Sequence, residues 1–208
     1  MAAMPMFPLG SVLLPGAVLP LHVFELRYRR LVTDCVEAPE HEFGVVLIER
    51  GNEVGGGDQR RPVGTVAQML EVAQVPDGRF AVMSVGTRRI RVNAWLPDDP
   101  YPLADVDDWP DEEPDDPFAA ELVEAVTPVV RRLMALAIEL GDPVGDPQEE
   151  ISDDPLLASY HLSGLAPLST TDRYDLLCAP GPVARLRLLG ARLADVETLL
   201  HFRLQGGE

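Results

Sequence analysis

The spacing of apolar and polar positions changes about halfway along the chain. Up to about Trp95 the apolar residues form short runs separated by turn residues, which is typical of strands. After Phe118 they recur every three or four residues, which is typical of helices. The pattern predicts an α+β protein with a β-rich subdomain over residues 1–117 and a helical subdomain over residues 118–208.

Several strands are predicted in the β-rich half. Phe43–Glu49 is a short apolar run typical of a buried strand, and Val63–Val75 is a longer run with a bend or bulge expected near Gly64. Turn residues at Pro76–Gly78 indicate a hairpin, with the returning strand ending near Gly86.

Residues 87–95 are predicted to form a further strand, with Arg89 and Arg91 on one face and Ile90 and Val92 on the other. Residues 100–106 fit an edge strand. The single helix expected in this half runs from about Glu25 to Glu37.

The helical half carries clear start signals. Pro128 is expected to kink or divide a long first helix, because proline lacks the backbone donor that a helix interior needs. Cap residues precede Pro155, and Ser169–Asp172 fits a capping box. A last helix is predicted from Pro182 onwards.

An acidic, proline-rich stretch joins the two halves. Residues 98–117 contain ten acidic residues and five prolines. Apart from the edge strand, the segment 107–117 is interpreted as a solvated connection.

Charge and composition narrow the classes of partner. The net charge of −17 argues against nucleic acid, which is bound by clustered basic residues; Arg88, Arg89 and Arg91 are the best candidates for a local basic patch. No apolar run is long enough for a membrane span, and the N-terminus does not fit a signal peptide. A cytoplasmic protein with reduced Cys35 and Cys178 is expected.

The chain contains no lysine, since all seventeen basic residues are arginine. A Walker A loop and a Ser–Lys dyad both require lysine, so ATP hydrolysis of that type and that protease chemistry are excluded.

The four histidines stand at no metal-ligand spacing, and no metal or cofactor is expected. The glycine-rich segment Gly51–Pro62 lacks the lysine and following helix of a phosphate loop, and a long connection between strands is favoured.

The segment Leu19–Val32 allows two interpretations. His22 could act as a base oriented by Glu25. Alternatively, the segment is a strand that runs into a helix, with Glu25 paired to Arg29 one turn later. The second is favoured, because no nucleophile lies nearby in the sequence for His22 to activate.

Three segments in order, residues 7–32, 43–72 and 78–106, resemble the N-terminal, substrate-binding domain of Lon-type ATP-dependent proteases, and residues 167–193 resemble its helical part. The resemblance implies a PUA-like twisted β pseudo-barrel with one helix, followed by a helical bundle. Its motif residues carry over as architecture: Phe7, Pro8, Leu9, Pro15, Gly16, Pro20, Leu21, Phe24, Glu25, Arg27 and Tyr28.

The resemblance implies a non-catalytic module that binds unfolded or tagged polypeptides in protein quality control, without the ATPase and protease domains. Its partners would be those polypeptides and a protease or chaperone machine. Binding is expected through exposed apolar side chains of the β-rich half or a cleft between the halves, with Tyr28, Trp95 and Tyr101 as candidate residues. The alternatives are a small hydrolase with an unrecognised site and an RNA-binding PUA-like protein, the latter by fold analogy alone.

Overall fold

The structure is a computed structural model that describes residues 3–51 and 57–206. The chain divides into two compact units, Met1–Pro110 and Asp111–Glu208. The subdomain boundary after residue 117 stays a prediction. Residues 52–56 of the glycine-rich segment lie outside the described residues, and its last part, from Gln59, belongs to a strand rather than to a connection.

The first unit contains a six-stranded mixed sheet and one helix. The elements follow the chain in this order: β1 (Met4–Leu9), β2 (Val18–Val23), α1 (Leu26–Glu37), β3 (Glu42–Arg50), β4 (Gln59–Gln74), β5 (Phe80–Leu96) and β6 (Leu103–Asp108). The strand order is β2-β5-β4-β3-β1-β6, and β5 also pairs with β6. The additional pairing joins the sheet into a pseudo-barrel, so the predicted fold class is confirmed.

Two strand predictions need correction. Residues 80–96 form one strand rather than two, because Gly86 continues the ladder as the partner of Ala67 on β4. The strand predicted for the edge, β6, is paired on both sides, with β1 at Met4–Ala104 and with β5 at Val92–Val106. The bulge predicted near Gly64 is confirmed by the register shift that follows the Val46–Gly64 pair.

Helix α1 contributes to the core of the first unit through one face. Its buried residues Tyr28, Leu31, Val32 and Cys35 recur at spacings of three, one and three, as expected for an amphipathic helix. They form one cluster with residues of β1, β3 and β4, including Phe43. β3 is buried along most of its length because it pairs with β1 on one side and β4 on the other.

A tight turn sets the start of β2. Ala17 N–H donates to Leu14 O at 3.1 Å around Pro15 and Gly16, and Gly16 has a φ of 83°, as in a type II turn. Gly16 N–H donates to Gly86 O, and Gly86 N–H donates to Ala17 O. Gly16 and Ala17 are therefore both opposite Gly86, as in a β-bulge, and this arrangement fixes the register of β2 on β5.

The second unit is helical. Its elements are α2 (Phe118–Glu139), α3 (Pro155–Leu165), α4 (Thr170–Leu177) and α5 (Pro182–Gln205). Pro128 lies inside α2 without dividing it. Asp154 accepts from Leu156 N–H at the start of α3, and Ser169 accepts from Asp172 N–H at the start of α4, so both predicted caps are confirmed.

Leucines of α5 and apolar residues of α2 form the core of the second unit; they include Val130, Leu133, Leu186 and Leu189. Three polar residues are buried in the described part of this unit: Ser159, Ser163 and Arg185. The Arg185 side chain is 0% exposed and donates to Ser159 Oγ, Tyr160 Oη, Leu176 O and the Asp111 carboxylate. The acidic segment 107–117 is therefore not simply a solvated connection, because Asp111 neutralises a buried arginine.

Candidate functional site

The strand β2 has a free edge. Within the described residues it pairs with β5 alone, from Val18 opposite Val85 to Val23 opposite Phe80. Because Gly86 N–H donates to Ala17 O, the alternation of an antiparallel ladder directs the backbone groups of Leu19, Leu21 and Val23 toward β5. The backbone groups of the intervening residues, Val18, Pro20 and His22, then point away from β5.

The solvent-facing side of β2, β4 and β5 is largely apolar. Val18 is 61% exposed and Met83, opposite Pro20, is 37% exposed. Leu70 is 59% exposed and stands at a β-bulge, between the Met69–Ser84 and Glu71–Met83 pairs. We call these exposed residues the outer patch: Val18, Pro20, Leu70, Ala73, Ala81 and Met83.

Two small cavities flank β2. The outer cavity, of about 210 Å³, lies on the outer patch and is lined by Pro20, Leu21, His22, Glu71, Ala73, Ala81, Val82 and Met83. The inner cavity, of about 190 Å³, is lined by Phe7, Leu9, Pro20, Leu21, His22, Val23, Phe24, Glu25 and Tyr28. Pro20, Leu21 and His22 line both, so the same three residues of β2 carry an apolar depression on each face.

Tyr28, one of the three aromatic residues predicted from the sequence, lines the inner cavity. Its ring stacks on Phe7 with a centroid distance of 4.1 Å and is only 3% exposed. Burial raises the pKa of Tyr28 to about 12, so the phenol stays neutral throughout the physiological range. Phe24 follows β2, lines this cavity and exposes more than half of its side chain.

The charged residues after β2 pair differently from the prediction. Glu25 Oε2 accepts from Arg27 Nε at 3.2 Å, and the predicted Glu25–Arg29 pair is wrong. Glu25 is the residue before the helix, with a ψ of 137°, so the spacing of helical neighbours does not apply to its side chain. The i,i+4 pair of this helix is Arg30–Asp34 at 2.9 Å.

His22 and Glu25 do not form a recognisable acid–base pair. His22 is exposed at the free edge of β2, while Arg27 holds the Glu25 carboxylate and its guanidinium lies 4.5 Å from the centre of the Tyr28 ring. The interpretation of residues 19–32 as a strand running into a helix is confirmed by β2 and α1.

Trp95 and Tyr101, the other two aromatic candidates, lie elsewhere in the unit. The Arg60 guanidinium stands 4.7 Å from the centre of the half-buried Trp95 ring and pairs with Asp58 at 2.6 Å. Tyr101 is buried, and its hydroxyl donates to Asp34 Oδ2 at 2.8 Å. Their contribution to polypeptide binding stays a prediction.

The three arginines proposed as a basic patch do not form one. Arg88 makes two hydrogen bonds to the Glu42 carboxylate, at 2.8 and 2.9 Å, and one to Asp108 at 2.8 Å. Arg89 is buried, and its guanidinium lies over the Trp109 ring together with that of Arg91. Arg89 and Arg91 share a face, as the alternation predicts, and both guanidinium groups contact Trp109, with Arg91 exposed and Arg89 buried.

Cys35 does not lie in a setting that favours its reactive thiolate. It is buried, its thiol donates to Glu42 O, and burial raises its pKa to about 12; Cys178 is partly buried and follows the last residue of α4. Both are free thiols.

Across residues 3–51 and 57–206, no group of three or more His, Cys, Asp or Glu side chains could hold a metal ion. None of the helices in this part of the chain combines the length and apolar character that crossing a membrane requires.

Sequence reasoning missed most of the outer patch. Val18, Leu70 and Met83 lie in apolar runs that resemble ordinary core strands, and only the pairing shows which of them face solvent. Leu70 is the hardest of the three to find, because it is the extra residue of a bulge in β4 that only the pairing with β5 shows.

The six-stranded pseudo-barrel and the following helices define a protein of the Lon N-terminal domain type. A crystal structure of a Lon N-terminal domain protein from Xanthomonas campestris superposes with a TM-score of 0.67 and 30% identity, over 92% of this chain and 98% of that one. The N-terminal domain of a Mycobacterium avium complex Lon protease shares the fold, with a TM-score of 0.65 and 20% identity over 93% of this chain and 99% of that chain.

The chain belongs to the family described as the ATP-dependent protease La (LON) substrate-binding domain, which it matches over residues 3–195. It is 31% identical to a Lon protease of Flavobacterium johnsoniae over 116 residues, 55% of this chain, and 27% identical to one of Koribacter versatilis over 200 residues, 92% of this chain. The matches span 14% and 24% of those relatives, so the chain corresponds to a small part of their length.

Proposed function

We propose that this protein binds exposed apolar segments of unfolded or tagged polypeptides through the β2 region of its first unit. The observation that carries the proposal is the outer patch together with the two cavities on opposite faces of β2. Apolar side chains left in solvent are stabilised when a partner covers them, at roughly 25 cal/mol per Å² buried. The family match to a substrate-binding domain supports the same function.

The proposed role is to hold the polypeptide without cleaving it. Lysine-dependent ATPase and protease chemistry is excluded by the sequence, and the residues around β2 are mostly apolar rather than arranged as a nucleophile and base. A role in cytoplasmic protein quality control, with a protease or chaperone machine that receives the bound polypeptide, completes the proposal.

Binding of a permanently unfolded protein tests the function. Fluorescence anisotropy of a labelled, reduced and carbamidomethylated protein should show saturable binding, and Met83→Ser should weaken it about tenfold, which corresponds to about 1.4 kcal/mol. Leu199→Ser is the matched control, because Leu199 is likewise an exposed apolar residue but lies on α5 of the second unit. Absence of binding at tens of micromolar, or equal effects of the two substitutions, would contradict the proposal.

The aromatic candidates are tested in the same assay. Trp95→Ala and Tyr101→Phe keep the outer patch intact, while Tyr28→Leu changes the floor of the inner cavity. If all three residues contribute to polypeptide binding, each substitution weakens that binding. Adding Met83→Ser to any of the three variants should then weaken binding by the same factor as it does in the wild type. An effect confined to Tyr28→Leu would restrict the site to the β2 region.

A further inference from the structure

We propose that the bound polypeptide adds as an extended strand to the free edge of β2, and that the preferred segment has consecutive apolar residues between basic flanking residues. The inference rests on the proposed function and specifies how the polypeptide is held. Three independent features of the described residues support it: the backbone groups of β2, the placement of the two cavities, and the charge beside them.

The backbone of β2 offers hydrogen-bonding groups to a further strand. Val18 and His22 each direct an N–H and a C=O away from β5, and Pro20 directs a C=O. An added strand satisfies such groups, and main-chain hydrogen bonds supply affinity that does not depend on sequence. Pro20 removes one donor from the middle of the edge, a device that limits permanent pairing between sheet edges while leaving the two outer residues available.

The cavities match the side-chain period of a strand. Successive side chains of an added strand point to opposite faces of the sheet. Because the inner and outer cavities share Pro20, Leu21 and His22, adjacent residues of the added strand reach one cavity and then the other. Two apolar depressions on opposite faces of the same three residues therefore fit an extended segment, whereas an amphipathic helix would present apolar residues to one face only.

The charge beside the site favours a basic segment. Among the residues that line the two cavities, the carboxylates are Glu25 and Glu71, and no arginine contributes to either lining. Arg27 pairs with Glu25, whereas Glu71 is exposed at the rim of the outer cavity. The net charge of −17 adds a general attraction for basic polypeptides.

Backbone N-methylation of a peptide separates strand addition from binding by side chains alone. The probe is a labelled ten-residue peptide with alternating leucine and alanine, which are apolar on both faces of a strand, and two lysines at each end. Two derivatives carry N-methyl groups on alternate amides, one on the odd and one on the even positions. Only alternate residues of an added strand bond to β2, so one derivative should lose at least tenfold in affinity and the other should stay within about twofold.

Two substitutions in the protein test the same geometry. Val18→Pro removes an outward N–H and should weaken binding of the unmodified peptide several-fold. Val18→Thr is its control, because it keeps the backbone donor and a β-branched side chain. Glu71→Gln should reduce the preference for the lysine-flanked peptide over a glutamate-flanked one. Circular dichroism and thermal unfolding establish that each variant is folded.

The outcomes distinguish the inference from the proposed function. If the peptide binds and N-methylation lowers the affinity of both derivatives equally, strand addition is wrong and binding through side chains alone remains. If neither the peptide nor the unfolded protein binds at tens of micromolar, both the inference and the proposed function are wrong. Equal affinity for lysine-flanked and glutamate-flanked peptides would overturn the charge preference alone.

Discussion

Arg185 donates to Asp111 Oδ1 at 2.5 Å across 74 residues of sequence, and the arginine side chain is completely buried. Tyr160 Oη also donates to Asp111, at 2.6 Å, and accepts from Arg185 at 2.9 Å. The carboxylate thus supplies the charge that a buried guanidinium requires. Removing one member of such a pair leaves the other buried and uncompensated, which is the costly case.

We therefore expect Asp111→Ala to lower the free energy of unfolding of the second unit by about 3–5 kcal/mol. Glu197→Ala is the matched control, because the Arg132–Glu197 pair, at 2.8 Å, is exposed; its loss should cost about 1 kcal/mol or less. Urea denaturation followed by circular dichroism measures both. Similar losses for the two variants would mean that the buried network does not stabilise the unit.

Substitution by alanine should have opposite effects on stability at Gly86 and at Gly190. A Cβ at Gly86 would overlap the carbonyl oxygen of Leu14 in the turn before β2, so Gly86→Ala should destabilise the protein by about 1–3 kcal/mol. At Gly190, inside α5, a Cβ would meet no atom within 4 Å. Gly190→Ala should therefore stabilise the protein by about 0.5–1 kcal/mol, because alanine has the higher helix propensity.

Thermal unfolding of both variants gives the sign of each effect directly. A stabilising effect of Gly86→Ala would show that the turn containing Leu14 can move away from β5. A destabilising effect of Gly190→Ala would show that its side of α5 is covered.

The buried thiol of Cys35 should make the protein less stable at alkaline pH. The pKa of its thiol is raised from 9.0 to about 12 in the folded protein, so ionisation above pH 9 favours the unfolded chain. The stabilisation is complete below pH 9 and is lost as the pH rises toward 12, by about 1.4 kcal/mol per pH unit. Urea denaturation between pH 8 and pH 10.5 should show a steeper decline for the wild type than for Cys35→Ala.

Val32→Ala provides the control for that measurement, because Val32 is buried in the same cluster as Cys35 but carries no ionisable group. The decline of its stability with pH should be parallel to that of the wild type. Parallel declines for the wild type and Cys35→Ala would contradict the prediction.

RNA should not bind the first unit at physiological ionic strength. Phosphate binding needs clustered, accessible cationic groups, whereas Arg88 is paired with two carboxylates, Arg89 is buried, and Arg91 is the one exposed member of the three candidates that has no carboxylate pair among the described ion pairs. Anisotropy of labelled single-stranded and duplex RNA at about 0.15 M salt should remain flat to about 100 µM protein, a concentration typical of the weakest non-specific binding. Saturable binding that weakens with salt would revive the RNA-binding alternative.

The sequence predicted the helices more accurately than the sheet. Caps and helix starts are local signals, so Asp154, Ser169 and Pro182 mark true helix ends. Strand pairing is not local. Gly86 was interpreted as the end of a strand, although it lies within β5 and allows the close approach of Leu14.

The sequence indicates an apolar surface on the β-rich half but not the residues of the outer patch, and its three aromatic candidates stay predictions. An exposed apolar surface on the β-rich half was expected, and the structure has one, yet the sequence favoured large aromatic residues. Tyr28 and Tyr101 are buried by their neighbours, whereas Met83 and Leu70 are exposed. Which face an apolar residue of a strand presents depends on register and bulges, and these are set by residues far away in the sequence. Asp111 illustrates the same limit, because its partner Arg185 lies on the last helix.

The pairing of β1 has a consequence for synthesis on the ribosome. Met4 and Pro5 pair with Ala104 and Leu103, while Met6–Leu9 pair with β3. The Met4–Pro5 end of β1 therefore leaves the exit tunnel about 100 residues before its partner residues on β6. At roughly 5–20 residues per second the nascent chain spends several seconds with that end of β1 unpaired. Newly made copies of this protein would, during that interval, be clients for the same kind of holding function that the finished barrel is proposed to perform.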